Sequence, residues 1–169
     1  MYLEDTETKK VWSLGISPTP DNNDYYVTYG FGYSNYMHTS NGIMQNLNIF
    51  VPKEDSVKVQ ILHLENKLAR KKELKLIYCV KPVLDEDEIK SNGYIDLRYN
   101  SNSKLITLQN RTKEEKDRTI MYIGCSEKIT SYTGDKASFI GKGTIKNPDG
   151  IRKIELNKEN SLGRNEMAI

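Results

Sequence analysis

The sequence predicts an all-β protein with the architecture of an antiparallel sandwich, and three observations carry this prediction. Apolar residues recur at every second position through the middle of the chain, which is the period of a strand with one face on a core. Turn-forming residues separate these alternating runs. Long helical patterns are absent between the runs, so hairpins are expected to join the strands. The length of 169 residues fits one β-sandwich domain over residues 1–169.

The expected strands cover most of the chain. In chain order they are Tyr2–Leu3, Tyr25–Tyr29, Ile43–Val51, Val57–Asn66, Leu74–Val80, Tyr94–Tyr99, Leu105–Asn110, Arg118–Cys125 and Ile151–Leu156. In the three longest runs, alternate side chains are expected to face the core. These core-facing side chains are Ile43, Leu47, Ile49 and Val51, with Gln45 as a polar exception, then Val57, Val59 and Ile61, and then Leu74, Leu76, Tyr78 and Val80.

The turns are recognised from their residue types. Asn41 and Gly42 join two alternating runs, and a type I′ turn there requires φ above zero at both positions. Further connections are expected at 52–55, 92–93 and 147–150, and an irregular stretch at Pro18 and Pro20. Leu84–Lys90 and Thr112–Lys116 each have two interpretations, a short helix or a charged loop.

The composition excludes several functional classes. The 25 basic and 23 acidic residues leave a formal net charge of +2, which does not indicate a nucleic-acid partner. No apolar run is long enough to span a membrane. Cys79 and Cys125 lie in separate apolar runs and are interpreted as reduced core residues, which favours a cytoplasmic location. No Cys or His spacing indicates a metal site, and no cofactor is expected.

No motif identifies a catalytic centre. The densest acidic cluster, Asp85–Glu88, is expected in a solvated loop, where a carboxyl group is deprotonated and a poor general acid. Gly30 and Gly32 begin a dinucleotide-like pattern but lack the third glycine and the strand–helix context. We therefore predict no catalytic residue on this chain.

The candidate site residues are aromatic or polar side chains in two tracts. Tyr33, Tyr36 and His38 lie among glycines near the Asn-Gly turn, and Trp12 precedes them. Aromatic rings in such a setting either line a sugar site or pack in a β-protein core. Tyr33 and Tyr36 are three positions apart and need not share a face, and a single Trp or His is more often structural.

A second tract, Thr133–Ile151, contains three further candidates. Asp135 is either the side chain that caps the backbone of a compact turn or part of a loop at a domain face. Lys136 and Phe139 follow it in the same loop.

Three stretches resemble one known family. They are Tyr2–Pro20, Tyr29–Asn66 and Thr133–Ile151, and together they are similar to the N-terminal β-supersandwich domain of the glycosyltransferase 36 family, now classed with the inverting cellobiose phosphorylases of glycoside hydrolase family 94. The closest similarity is to the C-terminal region of cyclic β-1,2-glucan synthase and to 1,2-β-oligoglucan phosphorylases. The resemblance implies a galactose-mutarotase-like supersandwich, of which this chain is a fragment.

The same resemblance implies a division of labour in the parent enzyme. An (α/α) barrel carries the general acid, and inorganic phosphate is the co-substrate. We expect both the barrel and the linker that precedes it to be absent from this chain. The sandwich supports the barrel and helps to form a homodimer. Lys136 stands where the family usually has Arg, and Lys lacks the planar fork that binds a carboxylate or phosphate through two donors.

Three functions are therefore open from the sequence. The first is a non-catalytic scaffold of an enzyme that acts on β-glucans, with β-1,2 linkages expected. The second is a stand-alone carbohydrate-binding module, in which Trp12, Tyr33 and Tyr36 line an open face and hold an oligosaccharide weakly. The third is a structural or oligomerisation unit with unpaired strand edges. Exposed aromatic rings on one sheet would favour the second function.

Overall fold

The computed structural model describes residues 1–86, 94–112, 114–162 and 167–168. The chain divides into two compact units, unit 1 (Met1–Leu76) and unit 2 (Ile77–Ile169). The turn expected at residues 92–93, residues 87–90 of the helix-or-loop segment and half of the acidic cluster lie outside the described residues. The expectation of a single domain over residues 1–169 stays a prediction.

Unit 1 is built from two sheets. Its strands are β1 (Tyr2–Asp5), β2 (Val11–Ser13), β3 (Tyr25–Gly30), β4 (Tyr33–Ser40), β5 (Ile43–Phe50), β6 (Val59–Asn66) and β7 (Leu74–Ile77, whose last residue belongs to unit 2). The first sheet has the order β2-β1-β7 and the second has the order β3-β4-β5-β6. The second sheet is a meander, in which each strand pairs antiparallel with the next one along the chain.

One face of the β3–β6 sheet lies on the core of unit 1, and we call it the inner face. Its fully buried members Ile43 and Leu47 pack with Leu3, Trp12 and Leu14. The opposite side of the same strands is the outer face. Since directly paired residues of antiparallel strands point to the same side, the register assigns every residue of these strands to one face or the other.

The turn between β4 and β5 forms as predicted. Asn41 has φ of 52° and Gly42 has φ of 80°, so both positions lie in the left-handed region that a type I′ turn requires. This turn fixes the pairing of Ser40 with Ile43. The predicted β5 face is confirmed for Ile43, Gln45 and Leu47, which are buried, so the polar exception faces the core with its apolar neighbours. The prediction is wrong for Val51, which follows the end of β5 at Phe50 and is exposed.

The predicted face of β6 is wrong. Val57 and Ile61 are exposed, whereas Leu62 and Leu64 pack against the core of unit 1. The register explains the reversal, because Leu62 pairs with buried Leu47 and therefore shares its face. Both sets of positions in this segment are apolar, so alternation alone did not decide which set is buried.

The single strand predicted over Leu74–Val80 is two strands in two sheets. β7 ends at Ile77, and β8 (Cys79–Val80) pairs with β13 (Met167–Ala168). Leu74 packs on the core of unit 1, and Val80 packs on the core of unit 2. The expected common face of this segment is therefore wrong, and Leu76 is exposed.

Unit 2 contains a four-stranded sheet with the order β11-β10-β9-β12. Its strands are β9 (Ile95–Asn100), β10 (Leu105–Asn110), β11 (Ile120–Ile123) and β12 (Ser161–Leu162), and its one α-helix among the described residues is α1 (Lys136–Ile140). Each strand pair in this sheet is antiparallel. The core contains Ile95, Leu97, Ile106, Leu108, Leu84 and Tyr132.

Three details of unit 2 differ from the sequence prediction. Ile151–Leu156 is not a strand, because a 3₁₀ turn at Asp149–Arg152 buries Ile151 and bends follow it. Glu115–Asp117 is a 3₁₀ turn, so the helical interpretation of that region holds in part. Cys125 is exposed and is not a core residue.

The fold class is confirmed. The described residues form an almost all-β structure, and every strand pair with an assigned register is antiparallel. This is the structure expected of a supersandwich domain.

Candidate functional site

Trp12 is a core residue and not a surface stacking platform. Its side chain is 1% exposed, and its indole Nε1–H donates to Gln45 Oε1 at 3.0 Å. The Gln45 amide in turn donates to the backbone carbonyl oxygens of Ser13 and Leu14. A buried indole needs such a partner, which explains the polar exception in β5.

Tyr33 and Tyr36 lie on opposite faces of β4. Tyr36 pairs with Leu47 and packs on the inner face. Tyr33 lies on the outer face, where 43% of it is exposed. The open line of Trp12, Tyr33 and Tyr36 that a binding module was expected to present is therefore absent, because the first and last of these rings are in the core of unit 1.

His38 is buried in a polar network that the sequence did not reveal. Its ring stacks on Tyr25 with centroids 3.7 Å apart. Nδ1 lies 2.9 Å from the backbone carbonyl oxygen of Asp24, and Nε2 lies 3.1 Å from Asp21 Oδ1. The latter contact has the distance of an ion pair but not the direction of a hydrogen bond. Ser40 Oγ donates to the other oxygen of Asp21.

This network contains Ser, His and Asp but does not have the geometry of a catalytic triad. Ser40 donates to Asp21 and not to His38, so no base activates the hydroxyl group. Burial raises the pKa of Asp21, but the hydrogen bonds of Ser40 and Asn23 and the charge of His38 outweigh it, so the pKa stays below its ordinary value. The network fixes the segment before β3 to the sheet.

The three candidates of unit 2 build a capped helix. Asp135 is the N-cap of α1, and its side chain accepts from the backbone N–H of Ala137 at 3.0 Å and from Ser138 Oγ at 2.9 Å. This confirms the capping interpretation. Phe139 is 2% exposed, and a Cβ at Gly150 would lie 2.6 Å from its ring. Phe139 is thus a packing residue.

Lys136 is exposed at the start of α1. It borders an open groove of about 520 Å³ in unit 2, which is lined also by Cys79, Val80, Lys81, Ile140 and Ile145. The candidates are therefore not gathered in one place: Trp12, Tyr33, Tyr36 and His38 belong to unit 1, and the other three belong to unit 2.

Two further buried carboxylates, Asp5 in unit 1 and Asp96 in unit 2, are held in their charged form. Burial raises the pKa of Asp5, but the ammonium group of Lys72 and the N–H groups of Glu7 and Thr8 outweigh it and hold the pKa far below its ordinary value. In unit 2, burial of Asp96 is likewise outweighed by hydrogen bonds from Arg111 and Gln109 and by the charge of Arg98, and its pKa is lowered. Such carboxylates accept protons poorly and donate none at neutral pH.

The described part of the chain holds no group of three His, Cys, Asp or Glu side chains that is suited to bind a metal ion. It also contains no helix that is both long and apolar enough to cross a membrane.

Most of the exposed aromatic side chains lie on the β3–β4 hairpin, and Tyr94 and Tyr122 of unit 2 are also exposed. Tyr26 is 64% exposed and Tyr29 is 74% exposed, and Phe31 at the turn is open to solvent. Tyr26 shares the outer face with Tyr33, since Tyr26 pairs with Met37. Tyr29 lies on the inner face, since it pairs with Ser34, so the exposed rings of YYVTYG do not form one sequence pattern.

The comparison with known families agrees with the all-β, antiparallel structure. The family model "Glycosyl hydrolase 94, supersandwich domain" matches residues 1–169, so the chain belongs to that family.

Two characterised relatives are glycoside phosphorylases by name. Solabiose phosphorylase of Paenibacillus borealis is 28% identical over 144 residues, which are 83% of this chain and 19% of that protein. N,N'-diacetylchitobiose phosphorylase of Vibrio furnissii is 36% identical over 69 residues, which are 39% of this chain and 9% of that protein. The chain thus spans about a fifth of the length of the first relative and less of the second.

Proposed function

We propose that the chain is the scaffold portion of a glycoside phosphorylase that acts on β-glucans, and that it performs no chemistry by itself. The observation that carries this proposal is the state of its buried carboxylates. Phosphorolysis of a glycosidic bond needs an acid that is protonated near neutral pH, which means a raised pKa. Three buried or half-buried carboxyl groups, Asp5, Asp21 and Asp96, instead have pKa values below the ordinary value, so none of the three is such an acid.

The finer parts of the proposal rest on similarity. Both relatives are named as phosphorylases, and the stretches Tyr2–Pro20, Tyr29–Asn66 and Thr133–Ile151 together resemble β-1,2-glucan enzymes. From these similarities we propose β-1,2-linked glucan as the substrate of the whole protein, inorganic phosphate as its co-substrate, and a catalytic (α/α) barrel and a second copy of the protein as the partners of this chain. The described cysteines, Cys79 and Cys125, are free thiols, which supports a proposed location in the cytoplasm.

The first test uses the chain alone. It is incubated with β-1,2-linked gluco-oligosaccharides and inorganic phosphate, and glucose 1-phosphate is measured. We expect none above the rate in buffer, because Asp5, Asp21 and Asp96 are deprotonated at neutral pH and cannot protonate the leaving oxygen. Glucose 1-phosphate formation that scales with the amount of chain would contradict the proposal.

The second test addresses the scaffold role. This chain replaces the matching segment of solabiose phosphorylase, and the hybrid is assayed for phosphorolysis of the substrate of that enzyme. We expect measurable activity, and we expect it to be lost when Leu3→Asp places a charge in the core of unit 1, where Leu3 is 0% exposed. A hybrid with equal activity with and without Leu3→Asp would show that the folded sandwich does not support the barrel.

A further inference from the structure

The outer face of the β3–β6 sheet differs from an ordinary solvated surface in its charge. The register places one charged side chain on it, Glu65 at the end of β6, and Glu65 is paired with Lys67 at 2.6 Å. Charged residues make up 28% of the chain, so this face is depleted in charge. Depletion of this kind suits a ligand that is itself uncharged, since neither sign of charge would find a partner there.

The centre of the outer face is polar. Thr28, Asn35 and Asn48 lie side by side across β3, β4 and β5, and Asn46 lies two positions from Asn48 on the same face. In the part of the chain that the structure describes, the side-chain amides of Asn35, Asn46 and Asn48 have no hydrogen-bond partner. In addition, Asn35 Oδ1 is shielded from solvent. A buried acceptor that has no hydrogen bond lowers the stability of the folded protein.

Two tyrosine rings flank these amides on opposite sides. Tyr26 is on β3, and Tyr33 of β4 pairs with Gly30, which lies four residues after Tyr26 on β3. Tyr26 and Tyr33 are therefore roughly 13 Å apart along the strand direction. The Tyr33 ring occupies the space over Gly30, because a Cβ there would lie 2.1 Å from its Cε1. The sheet therefore supports one side of this ring and solvent reaches the rest.

We propose that the outer face binds a neutral β-linked oligosaccharide, which stacks on Tyr26 and Tyr33 and hydrogen-bonds to Asn35, Asn46 and Asn48. This proposal rests on the carbohydrate function proposed above. A sugar hydroxyl group both donates and accepts, so it suits the oxygen and the NH₂ of Asn46 and Asn48 and the NH₂ of Asn35. An aromatic ring offers the apolar surface that matches the C–H face of a sugar. The separation of the two rings calls for an oligosaccharide and not for a single sugar.

A protein partner fits this face less well. Protein interfaces have an apolar centre and a polar rim. Here the arrangement is inverted on β3 to β5, because Thr28, Asn35 and Asn48 form the central row and Tyr26 and Tyr33 lie in the rows on either side of it. The apolar residues Met37 and Phe50 lie in those two outer rows, and Ile61 follows Asn48 at the β6 end of the central row.

The test is a titration of the full chain, labelled with ¹⁵N, with β-1,2-linked and β-1,4-linked glucotetraose. We expect saturable shifts of the side-chain NH₂ signals of Asn35, Asn46 and Asn48, which three single Asn→Ala variants assign. The indole N–H signal of buried Trp12 should stay unchanged, because it lies on the inner face and reports on the fold.

Matched variants decide which face binds. Tyr26→Ala and Tyr33→Ala should each weaken binding by roughly tenfold. Tyr29→Ala is the control, since Tyr29 is more exposed than either ring but lies on the inner face, opposite Ser34, and should change affinity less than about twofold. Gly30→Ala should weaken binding although it removes no ring, because the new methyl group displaces Tyr33.

Three outcomes would overturn the inference. If neither sugar shifts the amide signals at millimolar concentration, the outer face is no oligosaccharide site, while the scaffold function stands on its own assays. If Tyr29→Ala weakens binding as much as Tyr33→Ala does, sugar binds elsewhere on the hairpin. The third outcome combines two results: sedimentation shows that the chain self-associates and that Tyr33→Ala abolishes this association, and neither sugar shifts the amide signals. In that case the outer face binds a second copy of the chain.

Discussion

Gln45 is a polar residue in the middle of an apolar core, and both the oxygen and the NH₂ group of its side-chain amide form hydrogen bonds. Its oxygen accepts from the Trp12 indole, and its NH₂ group reaches the carbonyl oxygens of Ser13 and Leu14. The amide thereby connects β5 of the large sheet with β2 and the residue after it. A buried donor that loses its partner costs the desolvation energy of that donor.

At this position we predict that Gln45→Leu destabilises the chain although it makes the core more apolar. The loss should be about 1–3 kcal/mol in the free energy of unfolding, because the indole N–H and two carbonyl groups lose a partner. Urea unfolding followed by far-ultraviolet circular dichroism measures it, since this signal is also available in variants that lack Trp12. In a double-mutant cycle, Trp12→Phe combined with Gln45→Leu should cost less than the sum of the two single changes. Strict additivity would mean that the bond contributes nothing.

At the level of the element, the β4–β5 turn sets the register of the whole meander. Both of its central residues have positive φ, and a Cβ at Gly42 would meet Leu68 Cγ at 2.5 Å. The backbone N–H of Lys67 also donates to the carbonyl oxygen of Gly42 at 2.9 Å. The turn thus combines a conformational requirement with a close approach of the chain that leaves β6.

Gly42→Ala should therefore destabilise the chain by about 1–2 kcal/mol, since a side chain is unfavourable at this φ and has no room next to Leu68. The matched control is Asn41→Gly in the same turn, which keeps the positive φ accessible and should change the free energy of unfolding by a few tenths of a kcal/mol. The midpoint of urea unfolding distinguishes the two. Equal midpoints would show that the turn conformation does not limit stability.

The same elements show what local sequence predicts and what it does not. The Asn-Gly turn and the face of β5 were predictable, because their signals are contained in adjacent residues. The face of β6 was not, since both of its alternating sets contain apolar residues and only the pairing with Leu47 selects Leu62. The network of Asp21, His38 and Ser40 was not predictable either, because it depends on the register that brings residues 17 to 19 positions apart together.

The candidate site followed the same rule. Residue type favoured a core position for Trp12 and a capping role for Asp135 but did not decide either, and the spacing of Tyr33 and Tyr36 left their faces open. The outer face could not be predicted from the sequence. It consists of residues from four strands, and which of them share a side is known only from all three registers.

At the level of the whole molecule, the lowered pKa values make stability depend on pH in a definite direction. A carboxyl group whose folded pKa lies below its unfolded value stabilises the protein fully above the unfolded value, and the contribution disappears as pH falls through the folded pKa. For Asp5 and Asp21 in unit 1 the ordinary value is 3.8. Stability of unit 1 should therefore be flat near neutral pH and decrease from about pH 4 downward.

We expect a loss on the order of 2 kcal/mol for a single buried carboxylate of this kind, measured by urea unfolding of unit 1 with Trp12 fluorescence between pH 7 and pH 2.5. Asp5→Asn should show a flatter decrease and a lower stability at neutral pH, because it leaves the ammonium group of buried Lys72 unpaired. Glu7→Gln, which removes an exposed partner of Arg70, should leave the profile unchanged within about 0.5 kcal/mol. A stability that rises on acidification would contradict the lowered pKa values.

β3 has a consequence for how the protein behaves in a concentrated solution. Among the described strands it lies at the end of its sheet, and its six residues, Tyr25–Gly30, include no charge and no proline. A short, uncharged segment rich in tyrosine has the composition that templates cross-β fibrils when its backbone is open. One lysine in place of Val27, at the exposed rim of the sheet, should therefore lengthen the lag time of thioflavin-positive fibre growth and extend the shelf life of purified samples.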